Sequence, residues 1–156
     1  MDEILKDQAM LFIEDQNIKQ KIAGVLESLS YRTAIIPFIT DNTMEQVKSV
    51  SNKVIILEDG FQNISFMENL IYQEIIRMTM PFRRNVFFVP LGNEITYPEP
   101  IGAFSMSVNL LLDIGKIKEE DLVTILRQEI FYYTQLYQVY NMIKKQINQR
   151  GSYLAA

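Results

Sequence analysis

The stretch KVIILEDGF, Lys53–Phe61, decides the fold. Val54, Ile55, Ile56 and Leu57 follow one another with no polar residue between them. A strand with one wet face would alternate apolar and polar residues. An unbroken run therefore predicts a strand covered on both faces, in the middle of a parallel sheet. The run ends in Glu58 and Asp59, and Gly60 turns the chain. Acids at the C-terminal end of a central strand stand where open α/β sheets bind ligands.

Reading outward, strands and helices alternate. AMLFIED (Ala9–Asp15) predicts a first strand, and NIKQKIAGVLESLS (Asn17–Ser30) a helix capped by Asn17. YRTAIIPFI (Tyr31–Ile39) is a second strand whose Pro37 suggests an edge. TMEQVKSVS (Thr43–Ser51) is a short helix, capped by Thr43 or Asn42. After the Lys53 strand, SFMENLIYQEIIRMTM (Ser65–Met80) predicts a helix with Ser65 and Glu68 as a capping box, stopped by Pro81. NVFFVPL (Asn85–Leu91) is a fourth strand. A proline-bearing loop (Asn93–Pro100), a short helix (Ile101–Val108) and a fifth strand (Asn109–Ile114) follow. KEEDLVTILRQEIFYYTQLYQVYNMIKKQIN (Lys118–Asn148) reads as one long helix with its acids at the positive N-terminal end. Strands separated by helices need crossover connections, so the expected fold is a flavodoxin-like (βα)5 doubly wound α/β sheet of order 2-1-3-4-5. The expected division is 1–128 for the domain, 129–150 for an extension of the last helix, and a frayed tail over 151–156.

Composition narrows the chemistry. Hydrophobic residues make up 48% and charged residues 22% of 156 residues, the balance of one globular domain with its own core. There is no cysteine and no histidine. That excludes disulfides, thiolate catalysis, ordinary zinc sites and histidine-based triads. Proton transfer would fall to carboxylates, Lys, Tyr or Ser. A net charge of -4 argues against nucleic acid, and the basic doublet Arg83-Arg84 reads as a solvated turn. No apolar run reaches the ~18 residues of a membrane span. MDEILKDQ, Met1–Gln8, is acidic where a signal peptide would be basic. The expectation is a soluble cytoplasmic protein without membrane or nucleic-acid partners.

In the expected strand order, Glu14 and Asp15 at the end of strand one lie beside Glu58 and Asp59 at the end of strand three. Four like charges in one crevice need a cation, a shared proton or ample water. One reading is a Mg²⁺ and phosphoryl site, with Glu14 and Asp15 as metal candidates. The other is that acids end strands because strand ends are solvated. No G-x-G-x-x-G and no P-loop follows strand one, so no phosphate cradle is visible.

The order of elements, and MLFIEDQNIKQKI (Met10–Ile22) in particular, resembles the receiver domain of bacterial response regulators. The resemblance implies an acidic pair that binds Mg²⁺, an aspartate phosphoacceptor ending strand three, a Ser or Thr ending strand four, a Lys ending strand five, and a switching aromatic on strand five. The acidic pair falls on Glu14 and Asp15, and the acceptor on Glu58, one methylene longer than aspartate. Asp59 lies one residue on, with its side chain expected on the other face. The hydroxyl position is Leu91, the strand-five aromatic position is leucine, and the lysine position falls within Asp113–Gly115. Lys116 reaches it only after a shift of register. Without the hydroxyl and the lysine, a transferred phosphoryl group lacks two stabilisers of its charge.

RRNVFFVPLGNEITYPEPIGAFSMSVNLLLD (Arg83–Asp113), followed by FYYTQLYQVY (Phe131–Tyr140), is also similar to receiver-like domains of zinc-ribbon hypothetical proteins from delta-proteobacteria. The absence of cysteine rules out a zinc ribbon in this chain.

The long helix would extend about 46 Å at ~1.5 Å per residue, against ~17–20 Å for a strand. Leu126, Tyr133, Tyr140 and Ile147 recur every seven residues, with Leu136 and Ile143 between them, and Ile130 and Tyr137 widen the seam. Leu122, Ile125 and Leu126 are expected on the domain's own sheet. From Tyr133 onward the sheet is expected to have run out. Tyr133, Leu136, Tyr137, Tyr140 and Ile143 are then candidates for a homodimer or another protein contact, the other outcome being a helix folded back over the domain. The first functional expectation is a non-catalytic pseudo-receiver, a protein-interaction or signalling module independent of phosphorylation and of any cofactor. A phosphorylatable, Mg²⁺-binding receiver using Asp59 or Glu58, and a small flavodoxin-like enzyme, are the alternatives.

Overall fold

A computed structural model describes residues 7–49, 51–92, 110, 112–115 and 117–155. The expected loop Asn93–Pro100, the expected helix Ile101–Val108, Lys116 and the side chain of Tyr137 lie outside the described residues.

The strands are β1 (Gln8–Phe12), β2 (Arg32–Ile35), β3 (Lys53–Glu58), β4 (Val86–Gly92) and β5 (Leu112–Asp113). They form one five-stranded sheet of order β2-β1-β3-β4-β5, parallel throughout. The helices are α1 (Gln16–Ser28), α2 (Asp41–Lys48), α3 (Leu70–Arg77), α4 (Met80–Arg83) and α5 (Glu119–Ala155). This is the flavodoxin-like doubly wound architecture, with a C-terminal helix of 37 residues.

The unbroken apolar run of β3 has its physical reason in the two layers of core. Val54 and Ile56 join Ala9, Leu11, Phe87 and Val89 on the face that α1 and α5 cover. Ile55 and Leu57 join Met10, Phe12 and Phe88 on the opposite face, packed by Val47 of α2 and by Ile71, Tyr72 and Ile75 of α3. Successive side chains point to opposite faces, so burial on both sides demands an apolar residue at every position. β2 lies at the edge, and Ile35 on it is half exposed.

Helix starts differ from the expected ones because polar side chains choose among several free amides. Asp15, not Asn17, caps α1, its Oδ1 accepting from the Ile18 N–H at 3.0 Å. Thr40 caps α2 and exchanges reciprocal bonds with Thr43. The expected helix Ser65–Met80 is broken. Phe66–Glu68 is a single 3₁₀ turn, and α3 begins only at Leu70, where Asn69 Oδ1 accepts from the Ile71 N–H at 2.8 Å. Ser65 makes no capping bond. Burial of Phe66 explains the break. Its ring lies 4.5 Å from Tyr72 and 5.9 Å from Phe88 between centroids, a place that a continuous helix would not give it. Pro81 sits in the first turn of α4 instead of ending a helix, since an early helical position needs no N–H.

Lys53 opens β3 and is fully buried. Its ammonium donates to the Val47 and Ser49 carbonyls at 3.0 and 2.6 Å and to Ser49 Oγ at 3.0 Å, closing the C-terminal end of α2. Burial pushes its pKa down to about 8.

α5 stays on the domain longer than its length suggests. Leu122, Leu126 and Ile130 are buried. Tyr133 then packs on Phe87, with ring centroids 4.8 Å apart, and its hydroxyl donates to the Arg84 carbonyl at 3.1 Å. Thr134 Oγ1 and the Tyr31 hydroxyl share a hydrogen bond of 2.7 Å. The Arg84 guanidinium sits 5.4 Å from the centre of the Tyr140 ring and donates to its hydroxyl. The sheet therefore does not run out at Tyr133. The reason is that Phe87 on β4 and Arg84, at the C-terminal end of α4, extend the surface beneath the helix by two further turns. The helix also continues past its expected end at Asn148, to Ala155.

Candidate functional site

The C-terminal ends of β1 and β3 bring Glu14, Asp15, Glu58 and Asp59 to one rim, as the strand register requires: Phe12 pairs with Leu57, and Glu58 with Leu91. Each of the four carboxylates accepts a backbone N–H. Glu58 Oε1 takes the Glu14 amide at 3.1 Å. Glu14 Oε1 takes the Gln62 amide at 2.8 Å. Asp15 Oδ1 caps α1, and Asp59 Oδ1 takes the Phe66 amide at 2.9 Å. Gln62 Oε1 carries the network onward by accepting from the Ile39 N–H at 3.0 Å.

The turn after β3 makes this possible. Gly60, Gln62 and Asn63 all adopt positive φ, at 84°, 57° and 60°. Left-handed backbone at Gln62 and Asn63 curls the chain so that the Gln62 amide points back at Glu14. Asp59 and Glu58 point apart, as alternation along a strand predicts. Glu58 turns toward β1, while Asp59 turns along the chain to the start of the 3₁₀ turn at Phe66.

Burial raises the pKa of Glu58 above its ordinary value. The Glu14 amide pulls it back down, the Asp15 and Glu14 carboxylates push it further up, and the Asp15 amide pulls it down. A group poised in this way holds its proton more readily than a solvated glutamate, which is opposite to what an anionic phosphoacceptor needs.

The other positions of the receiver pattern are filled by residues with different chemistry. Leu91, at the hydroxyl position, is fully buried, and its carbonyl accepts from the Asp59 N–H at 2.7 Å. Asp113, within the expected lysine stretch, turns its Oδ1 to the Gly115 N–H at 2.9 Å. Asp15 and Asn17 line a cavity of about 260 Å³ together with Ile18, Ile114, Ile117 and Leu122. Among the described residues, no group of three or more acidic side chains is placed to hold a metal ion. One oxygen of each acid is turned to a backbone amide.

No protein-family model matches the sequence, and no curated protein matches it. Solved structures do. The BeF3-activated receiver domain of DrrB superposes with a TM-score of 0.53 at 16% identity, over 80% of this chain and 97% of that one. The receiver domain of a sensor histidine kinase from Pseudomonas aeruginosa PAO1, solved with a magnesium ion in its active-site cleft, gives 0.51 at 20% identity over 80% of this chain and 98% of its own. The response regulatory domain of protein mrkE from Klebsiella pneumoniae gives 0.53 at 14% identity over 82% and 98%.

The fold is that of a response-regulator receiver. The superpositions cover about four-fifths of the chain. Among the described residues no helix is long and apolar enough to cross a membrane.

The sequence missed one cluster. Arg84, read as part of a solvated turn, lies with Tyr133, Leu136 and Tyr140 around an apolar cavity of about 340 Å³ between the start of β4 and α5. Its signal was present as the seven-residue spacing of Tyr133 and Tyr140. What the spacing lacked was the residue they would meet.

Proposed function

We propose that this chain is a pseudo-receiver: a non-enzymatic signalling or scaffolding module that acts through protein contact, without phosphorylation and without a metal cofactor. The observation that carries this reading is the commitment of Glu14, Asp15, Glu58 and Asp59 each to a backbone amide. In this reading the acids hold the rim of the sheet together, and Glu58 serves in place of an acceptor as the tie between β3 and β1. Buried Leu91 in place of a switch hydroxyl supports the same reading, since a buried leucine offers no hydrogen bond to a modified acid. The partner surface is α5, most directly with a second copy in a bacterial cytoplasm.

The test is to incubate the full chain with acetyl phosphate, and separately with beryllofluoride, in the presence of Mg²⁺. Mass and amide NMR shifts are then recorded. The expected result is no added phosphoryl mass and no saturable shift at Glu14, Asp15, Glu58 or Asp59. A saturable Mg²⁺-dependent change that Asp59→Asn abolishes would sink the proposal in favour of an atypical phosphorylatable receiver.

A further inference from the structure

The exposed face of α5 carries a regular apolar stripe of its own. Tyr132, Leu136, Val139 and Ile143 are 55%, 70%, 46% and 48% exposed. Their spacings of four, three and four residues are those of a two-helix seam. Tyr133 and Tyr140, on the neighbouring stripe, are already spent on Phe87 and Arg84. The exposed seam is therefore rotated by about one residue from the seven-residue series that runs through Leu126 and Tyr133.

Charge along the same helix is split. Before Ile130 it carries Glu119, Glu120, Asp121 and Glu129 against one Arg127; after it come Lys144, Lys145 and Arg150 and no acid. Two such helices side by side in parallel would put basic end against basic end. In antiparallel order each basic end meets an acidic start.

We infer that α5 pairs with α5 of a second copy in antiparallel order, Leu136 opposite Val139 and Tyr132 opposite Ile143. This rests on the reading of α5 as the contact surface and gives it a partner and a geometry. In this register Arg150, on the seam face, falls between Asp121 and Glu129 of the second copy, while Lys144 and Lys145 lie on the outer side of the helix and add to the field of its basic end. The free end of each helix, beyond Tyr140, then lies along the half of the other helix that its own domain anchors through Leu122, Leu126 and Ile130. Each copy supplies the support that the other's projecting turns lack.

Two measurements on the full chain test this. The protein has no cysteine, so Ser152→Cys gives a unique site for a nitroxide label. Antiparallel pairing about the midpoint of positions 137 and 138 separates two labels at 152 by about 44 Å along the axis, at ~1.5 Å per residue. Parallel pairing keeps them within the ~20 Å width of two helices. Sedimentation is expected to show a dimer. Arg150→Glu is expected to weaken it by about tenfold, from several pairs worth a few tenths of a kcal/mol each. Adding Glu129→Lys is expected to restore part of that loss. A short label distance overturns the antiparallel order while leaving α5 as the contact surface. A monomer at about 0.5 mM, a concentration that detects even millimolar association, overturns both, yet leaves independence from phosphorylation to its own test. Charge variants that leave the dimer unchanged overturn the pairing of acidic start with basic end.

Discussion

At the C-terminal rim of the sheet, four carboxylates each meet a backbone amide. Along the outer face of α5, Tyr132, Leu136, Val139 and Ile143 stand in solvent. By sequence the acids allow either a reactive site or a solvated strand end, and the stripe from Tyr133 onward suggests a protein contact. The difference lies in what each group can find nearby. A carboxylate is short and accepts from any amide within reach, and strand ends and tight turns are rich in free amides. An apolar side chain needs a surface of matching area, and the domain provides one only where β4 and α1 lie beneath the helix.

The sharpest way to break this contrast is at the boundary between anchored and free turns of α5. Tyr133→Ala removes the ring against Phe87 and the bond to the Arg84 carbonyl. Urea unfolding is expected to show a loss of about 2–4 kcal/mol, the usual cost of emptying an aromatic site. A loss below about 0.5 kcal/mol, the range of uninvolved surface positions, would mean that the anchor is not there.

Lys53 extends the comparison to the other end of β3. Its folded pKa, about 8, lies below its ordinary value, so the native state favours the neutral amine. The associated stability is present above the ordinary lysine pKa and is lost as pH falls through about 8. Lys53→Met cannot titrate. The stability difference between variant and parent is therefore expected to move in the variant's favour as pH drops from the alkaline range through 8. A flat difference across that range would show an ammonium fully satisfied by its three oxygens.

Asp15 tests whether the rim acids are structural. Asp15→Ala is expected to cost about 1 kcal/mol through loss of the α1 cap, and Asp15→Asn or Asp15→Ser much less. Equal losses in all three variants would point to a need for the charge itself.

Smaller still is Glu58→Gln. The amide oxygen can keep the Glu14 N–H while relieving repulsion from Glu14 and Asp15. Because the folded pKa of Glu58 is raised, its favourable contribution is complete below the unfolded pKa and is lost as pH rises through the folded value. Thermal melts should thus show the glutamine variant unchanged in acid and slightly more stable at neutral pH. A less stable variant at pH 7 would mean that the carboxylate charge supports the rim.

Least of all is Leu136→Ser, since Leu136 is 70% exposed. In dilute solution, unfolding of the single chain is expected to change by no more than about 0.5 kcal/mol. A cost like that of Tyr133→Ala would place Leu136 in contact with its own domain.

Much of the fold was legible. Val54–Leu57 required a central strand because apolar residues at successive positions have no other use in a sheet. The alternation of strands with helices required parallel pairing. Helix ends were less legible, for a physical reason: Asp15 and Asn17 can both cap a helix, and the choice depends on where β1 stops, at Phe12. Ser65 with Glu68 spelled a capping box, yet the pull of Phe66 toward Tyr72 and Phe88 outweighed a local signal worth about 1 kcal/mol. Of the candidate site, the sequence showed which acids come together. It could not show that their oxygens turn to amides, because Gln62 and Phe66 reach them only through the left-handed turn at Gly60–Asn63.

Apolar runs and their alternation with helices are enough to specify the strands, their parallel pairing and the acids at the rim, since these follow from side-chain alternation along strands and from crossover connections. Only the tertiary structure decided what the rim and the last helix do with those residues. Hydrogen bonds and apolar contacts depend on distances of a few ångströms between segments far apart in the chain: Glu14 and Glu58, Asp59 and Phe66, Phe87 and Tyr133. Spacing along a sequence does not encode such distances.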